Sequence, residues 1–260
     1  MSEFKYGSLS LKQPKKIFLI GDVHNESDKL DSVLAQITLE IESDDHIVFC
    51  GDLVDRGREA TRTIESLVQL CRKYPDQVFF IEGNHDWMLR NYLQTGNTGW
   101  LTYLAITLND FKDHWNLSDT MPATIANALL ANGYKEITSR TVPYYETPEL
   151  IATHAPLDWT VTVMNGSVRY DEEFPIKSQQ SGFKYLLDRM RDELLWQFTD
   201  EQGDPIPGVN KYLVCGHQAG NTNSPRIRSD RAFIDTGCGL KPYRKLTCLV
   251  YPSKKVIQNK

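Results

Sequence analysis

A chain of 260 residues, 40% apolar and 24% charged, is long enough to bury one large α/β core and needs no second domain. Its 29 basic residues stand against 34 acidic ones, and a net charge of −5 argues against general nucleic-acid binding, so any positive field has to be local. No run approaches the ~20 apolar residues of a membrane span, residues 1–16 lack a signal-peptide core, and five cysteines without paired spacing suit reduced thiols in a cytoplasm.

In chain order, the apolar run Ile17-Phe18-Leu19-Ile20 reads as a short buried strand that opens into Gly21-Asp22-Val23-His24. In extended backbone Asp22 and His24 would project to the same side and could grip one ion. Residues 26–41 place Leu30, Val33, Leu34, Ile37 and Ile41 on one helical face. A second strand, Ile47-Val48-Phe49-Cys50, leads into Gly51-Asp52-Leu53-Val54-Asp55-Arg56-Gly57, and 59–73 form a helix with Ile64, Leu67, Val68 and Cys71 inward. A third strand, Val78-Phe79-Phe80-Ile81, ends in Glu82-Gly83-Asn84-His85-Asp86. This βαβα order predicts a mainly parallel sheet. The rhythm then breaks. Residues 94–148 scatter Trp100, Tyr103, Phe111, Trp115, Tyr144 and Tyr145 among polar residues and read as a helical cap insertion over the site; 157–210 read as a second insertion, with a helix from Phe183-Lys184-Tyr185-Leu186-Leu187 to Leu194-Leu195-Trp196. Strands resume at 212–215, 232–235 and 245–251 without helices between them, so the second half is expected to be antiparallel or mixed. The whole is read as a single α/β domain, 1–260.

The residues at the strand ends point to metal. Asp22, His24, Asp52, Asn84, His154 and His217 offer oxygen and nitrogen donors without thiolate, a set that suits Mn²⁺, Fe or Zn²⁺ and argues against a closed structural zinc site. The two oxygens of Asp52 can bridge two ions, with Asn84, His154 and His217 completing the shell of the second ion. Neighbours in sequence project to opposite sides, so Asn84 can hold an ion while His85 faces substrate as the candidate acid. Each residue has a plainer alternative: Asp22 or Asp52 as a helix cap, Asn84 as a turn residue, Arg56 as an ion-pair partner of Asp55 rather than a fork for phosphate. His46 and His114 lie in polar segments and read as solvated surface groups. Asp235-Thr236-Gly237 occurs once, which excludes the two-carboxylate chemistry of an aspartic protease.

These strings resemble the calcineurin-like metallophosphoesterases, and within them the phosphoprotein phosphatase branch, which includes symmetrical dinucleoside tetraphosphate hydrolases. The family pattern of Gly-Asp-x-His, Gly-Asp-x-x-Asp-Arg-Gly, Gly-Asn-His-acid and two isolated histidines is met by Asp22/His24, Asp52/Asp55/Arg56, Asn84/His85/Asp86, His154 and His217. Asp235-Thr236-Gly237 with Lys245-Leu246-Thr247-Cys248-Leu249 also looks like the final strands of bacterial members. The resemblance implies a β-sheet sandwich flanked by helices, and two divalent ions, manganese first, with iron or zinc as alternatives. It implies hydrolysis of phosphate monoesters by metal-activated hydroxide, with Arg56 and Asn84 orienting the phosphate and His85, polarised by Asp55, protonating the leaving oxygen. It implies a second phosphate-binding arginine, for which Arg169, Arg189 and Arg191 stand open. Two residues depart from the branch: Asn25 where it has Gly, and Asp86 where it has Glu. The expected substrate is a phosphorylated protein or a small phosphate ester, as for a serine/threonine protein phosphatase. A symmetrical diadenosine tetraphosphate hydrolase is the alternative. A catalytically silent phospho-binding module is the third reading, disfavoured because every ligand and both dyad residues are present.

Overall fold

The computed structural model describes residues 14–157, 160–163, 166–169, 193–196, 198 and 210–260. Three strands, β1 (Ile17–Ile20), β2 (His46–Phe49) and β3 (Val78–Ile81), alternate with helices α1 (Ser27–Ile37), α2 (Ala60–Lys73) and α3 (Asn84–Thr95). The strands are unbroken apolar runs because both faces are covered. Phe18, Ile20, Ile47, Phe49, Val78 and Phe80 pack with α1, α2 and α3, whereas Ile17, Leu19, Val48, Phe79 and Ile81 pack against a second sheet. The pairing is parallel as expected, and its register sets Ile20 beside Phe49 and Phe49 beside Phe80. The three glycine turns therefore leave the sheet at one edge.

After a 3-10 turn at Thr98–Trp100 come α4 (Leu101–His114), α5 (Pro122–Ala131) and α6 (Lys135–Thr138), then β4 (Thr141–Val142), β5 (Tyr145–Glu146) and β6 (Leu150–Thr153). α4 packs on α2 and α3, α5 on α3, and α6 on α2 and β3, so this stretch extends the helical layer while α4 reaches the glycine-turn edge. Next are β7 (Thr160–Val163), β8 (Gly166–Arg169), α7 (Glu193–Trp196), β9 (Tyr212–Cys215), β10 (Arg226–Ile227), β11 (Arg231–Phe233), β12 (Thr247–Tyr251) and β13 (Lys255–Gln258). Of the helix expected between residues 183 and 196, the part before Glu193 lies outside the described residues.

One sheet has the order β13-β12-β1-β2-β3-β4 and the other β10-β11-β9-β6-β5; β7 and β8 pair separately. Direction is mixed in the second half: β6, β9 and β11 run parallel, while β5, β10 and β12 pair antiparallel to their neighbours. Thr153 and Phe233 both pair with Cys215. This sheet thus delivers His154, Gly216-His217 and Asp235 at one edge, as the first delivers Asp22, Asp52 and Asn84. The result is the helix-flanked sheet sandwich expected from the sequence.

Two local expectations fail. α1 stops at Ile37 rather than Ile41, because the chain turns back toward β2 and leaves Leu39 85% exposed. His46 is not a surface group. As the first residue of a strand covered on both faces it is 9% exposed, with Nδ1 2.6 Å from Tyr145 Oη and its ring against Phe79. His114, at the end of α4, is half exposed. No described helix is long and apolar enough to cross a membrane.

Phe80 is 1% exposed and stacks on Phe49 at 5.0 Å. Phe80→Ala is expected to destabilise the chain by about 3–5 kcal/mol, read as a shift of the urea unfolding midpoint at fixed metal concentration; a change under 1 kcal/mol would mean the helix–sheet interface collapses around the cavity.

Candidate metal centre

The turns that carry the candidate ligands are bent where L-residues resist bending. Of eight described non-glycine residues with positive φ, six are His24, Asn25, Asp52, Asp55, Arg56 and His217, at φ values of 49°, 56°, 51°, 73°, 67° and 60°. Each left-handed residue costs roughly 1–2 kcal/mol, so strain is concentrated at one edge of the sandwich. It also corrects the expected geometry of the first motif. Asp22 and His24 converge through a left-handed bend at His24, whose N–H, like that of Val23, donates to the Asp52 carbonyl at 2.9 and 3.0 Å, not through strand alternation. Two glycines permit the approach: a Cβ on Gly83 would collide with Asp52 Oδ1, and one on Gly51, which sits at φ 93°, with His154 Nδ1.

The structure brings all six candidate ligands together. Donor atoms of Asp22, His24 and Asp52 lie within 4.8 Å of one another, as do those of Asp52, His154 and His217, so Asp52 belongs to both groups. His24 Nε2 is 3.8 Å from Asp22 Oδ2 and 3.5 Å from Asp52 Oδ2, and His154 Nε2 is 3.5 Å from Asp52 Oδ1. The outer ring nitrogens fix the tautomers: His24 Nδ1 donates to the Val54 carbonyl at 2.9 Å and His154 Nδ1 to that of Cys50 at 2.8 Å, leaving both Nε2 lone pairs turned inward. The His217 N–H donates to both Asp22 oxygens, at 3.0 and 3.2 Å.

These residues fit a pair of cations. The Nε2 atoms of His24 and His217 are buried without a hydrogen-bond partner, which is costly for a nitrogen unless something else binds it. One end of the Asn84 amide lies 3.2 Å from each Asp52 oxygen and 2.9 Å from His154 Nε2; with a cation between them this is the carbonyl end, and without one it is the amino end. Burial pushes the His24 and His217 imidazoles down to about 3, so both are neutral as ligation requires. Burial, then Asp235 and Asp52, raises Asp22 well above the usual carboxylate range. Burial opposes ionisation of Asp52 as well, but the positive charge that His154, His85, His24 and His217 carry when protonated outweighs it and holds Asp52 below its ordinary value. Carboxylates packed this closely call for positive charge among them.

Beside this cluster stands the predicted dyad. His85 Nδ1 bonds Asp55 Oδ2 at 2.9 Å, and both residues are buried. Burial alone would depress the imidazole, yet Asp52 and the bonded Asp55 outweigh it and raise His85 above its usual value. Asp55 is taken by His85 and Thr107, so the alternative of an Asp55–Arg56 ion pair is not formed; Arg56 is exposed, with Nη2 3.5 Å from His85 Nε2. Arg189 and Arg191 lie outside the described residues, and of Arg169, in β8, the backbone alone is described.

One supporting residue escaped the sequence reading. Thr107 on α4 donates from Oγ1 to Asp55 Oδ1 at 2.7 Å and accepts from the Asp55 N–H and from Asn25 Nδ2, at 3.1 and 2.8 Å. Asn25 therefore has a reason to stand where the related branch has glycine: it adopts the left-handed conformation asparagine tolerates and spends its side chain on Thr107 and the Gly57 carbonyl. Asp86, the other departure, accepts from the N–H groups of Gly83 and Leu53, both at 3.0 Å, and ties α3 to the Asp52 turn. No local pattern reports Thr107, 52 residues from Asp55 in sequence.

Residues 15–221 match the family model described as calcineurin-like phosphoesterase. The chain is 31% identical over 258 residues to the asymmetrical bis(5'-nucleosyl)-tetraphosphatase PrpE of Oceanobacillus iheyensis, across 93% of this chain and 91% of that protein. It is 33% identical over 129 residues to the serine/threonine-protein phosphatase PP2A-like PPG1 of Candida albicans, across 47% of this chain but only 29% of that longer protein. Among solved structures, the cold-active protein-tyrosine phosphatase of a psychrophilic Shewanella superimposes with a TM-score of 0.56 at 17% identity, over 95% of this chain and 78% of that one; the likeness concerns the fold.

Asp52→Asn is expected to lower bound manganese below half that of the parent chain, because a shared ligand that loses its charge leaves two cations poorly compensated. Elemental analysis of the dialysed variant measures this, and an unchanged metal content would remove Asp52 from the centre.

Proposed function

The chain belongs to the calcineurin-like phosphoesterase family and is a phosphoric ester hydrolase, and we propose that it holds two divalent ions, manganese first, on Asp22, His24, Asp52, Asn84, His154 and His217 and cleaves phosphate monoesters. When bound, such a pair acidifies water and neutralises charge on phosphoryl oxygens. The remaining work falls to this chain's own groups. Arg56, exposed beside His85, offers its guanidinium to the phosphate, and the N-terminus of α3, which begins at Asn84, favours an anion there. Asp55 holds the proton on His85 Nδ1, which leaves the Nε2 proton for the leaving oxygen. Thr107 fixes Asp55 in turn.

The buried Asp55–His85 contact carries the monoester reading. An alkoxide leaving group, as from a phosphoserine or phosphothreonine protein or a small phosphate ester, is a strong base and gains most from a positioned acid, about 10²–10⁴-fold. We read 1–260 as one domain and residues 94–148 as the insertion that selects substrate, since α4 brings Tyr103 within 6.0 Å of the His85 ring. The five buried, unbridged cysteines favour a reducing compartment such as the cytoplasm. A second reading, hydrolysis of dinucleoside tetraphosphates, is favoured by the near full-length match to the Oceanobacillus protein. It is also favoured by two exposed rings: Tyr103 beside His85, and Phe198 at 4.6 Å from the His217 ring, because planar bases stack on such surfaces. That relative is named for asymmetrical cleavage, whereas the sequence suggested symmetrical cleavage.

His85→Asn should lower kcat by about 10²-fold or more on an alkyl phosphate, and by less on a phosphate with an acidic phenol as leaving group, with metal content unchanged. Equal losses on both substrates would assign His85 a role other than acid. For the substrate, kcat/KM in Mn²⁺ is expected to be higher for a phosphoserine peptide than for diadenosine tetraphosphate. A ten-fold preference for the dinucleotide would establish the second reading instead, and its products would fix the cleavage: two diphosphates if symmetrical, a monophosphate and a triphosphate if not.

A further inference from the structure

Of the buried carboxylates at this edge of the sandwich, Asp55 and Asp86 are taken up by hydrogen bonds; of the other three, the six-residue ligand set uses two. The third belongs to Asp235, in the Asp235-Thr236-Gly237 string that phosphohydrolase chemistry leaves without a task. It follows β11 at the sheet end that also delivers His154 and His217, and is 3% exposed. Its Oδ1 accepts from the Gly237 N–H at 2.7 Å, closing a local turn, and its main-chain carbonyl accepts from Gly220 N–H in the loop after His217. Its Oδ2 is buried with no hydrogen-bond partner. Asp22, Asp52, His154 and Arg56 are within electrostatic reach, so the free oxygen shares its surroundings with two other acids, and the guanidinium that could offset them stands in solvent.

Nothing about the turn requires this charge. An asparagine carbonyl would cap the Gly237 N–H as well, and it would avoid the cost of sealing an unpaired carboxylate from water. A second carboxylate beside Asp22 is favourable only if positive charge enters between them.

We propose that Asp235 is an outer carboxylate of the metal centre, adding negative charge and a free acceptor oxygen behind Asp22 and so tightening the ion held on the Asp22–His24 side. The inference rests on the metal reading above. Asp235 is a positioning residue here, acting on the ion's affinity and not on substrate.

Its signature is a change of sign between the metal-free and metal-loaded protein. The full chain, Asp235→Asn and Asp235→Ala are stripped with chelator, their thermal midpoints recorded, and each titrated with Mn²⁺ by calorimetry. Asp235→Asn should melt, metal-free, at the parent temperature or above, because an uncompensated buried charge is gone and the turn is kept. It should bind one of two Mn²⁺ ions roughly 10–100-fold more weakly. Asp235→Ala should lose the same affinity and, having lost the turn, melt lower. Parent-like Mn²⁺ affinity in Asp235→Asn overturns the proposal, as does a metal-free midpoint lowered as far as in Asp235→Ala, which would make the carboxylate structural. Failure of the parent chain itself to bind Mn²⁺ would instead overturn the metal reading, and this one with it.

Discussion

One carboxylate has to face several partners at once, and much of the local structure follows from that. Asp52 stands 3.5 Å from the Nε2 atoms of both His24 and His154, accepts the His85 N–H at 2.9 Å, and meets the Asn84 amide. To reach all of them its own backbone goes left-handed, and its carbonyl gathers the N–H groups of Val23 and His24. No side chain fits between it and the third turn, hence Gly83. The strand register that sets the three turns side by side is the long-range condition for the cluster. Two hydrophobic layers, one on each face of the first sheet, are what offset the strain stored at its edge.

The His85 side of the site is built differently. Metal-type ligands come from strand ends, but the dyad is held by a helix from elsewhere in the chain: Thr107 on α4 pins Asp55, and Asn25 pins Thr107. A substitution in α4 can therefore disturb the Asp55–His85 contact without touching the ligand cluster, whereas a change at Asp52 reaches both, since Asp52 also accepts the His85 N–H.

What the sequence made legible was periodicity and punctuation. Unbroken apolar runs ending in glycine and ligand-type side chains located β1, β2, β3 and β9 and named the residues that converge. The alternation of strands and helices foretold the parallel half of the first sheet. Backbone conformation was not legible: nothing local distinguishes an extended Asp22-Val23-His24 from one bent at φ 49°. Partners far apart in the chain were equally silent, as Thr107 with Asp55 and His46 with Tyr145 show. His46 looked solvated because its sequence neighbours are polar, and the second sheet that buries it lies a hundred residues on. Asn25 and Asp86 registered as departures from a pattern; only their hydrogen bonds explain them.

The most direct test of the account is anomalous diffraction at the manganese edge from crystals soaked in Mn²⁺. Two peaks about 3.5–4 Å apart, the usual spacing of paired catalytic ions, are predicted, both within coordination distance of Asp52, one beside Asp22 and His24 and the other beside Asn84 and His154. A single peak, or two that do not share Asp52, would contradict it.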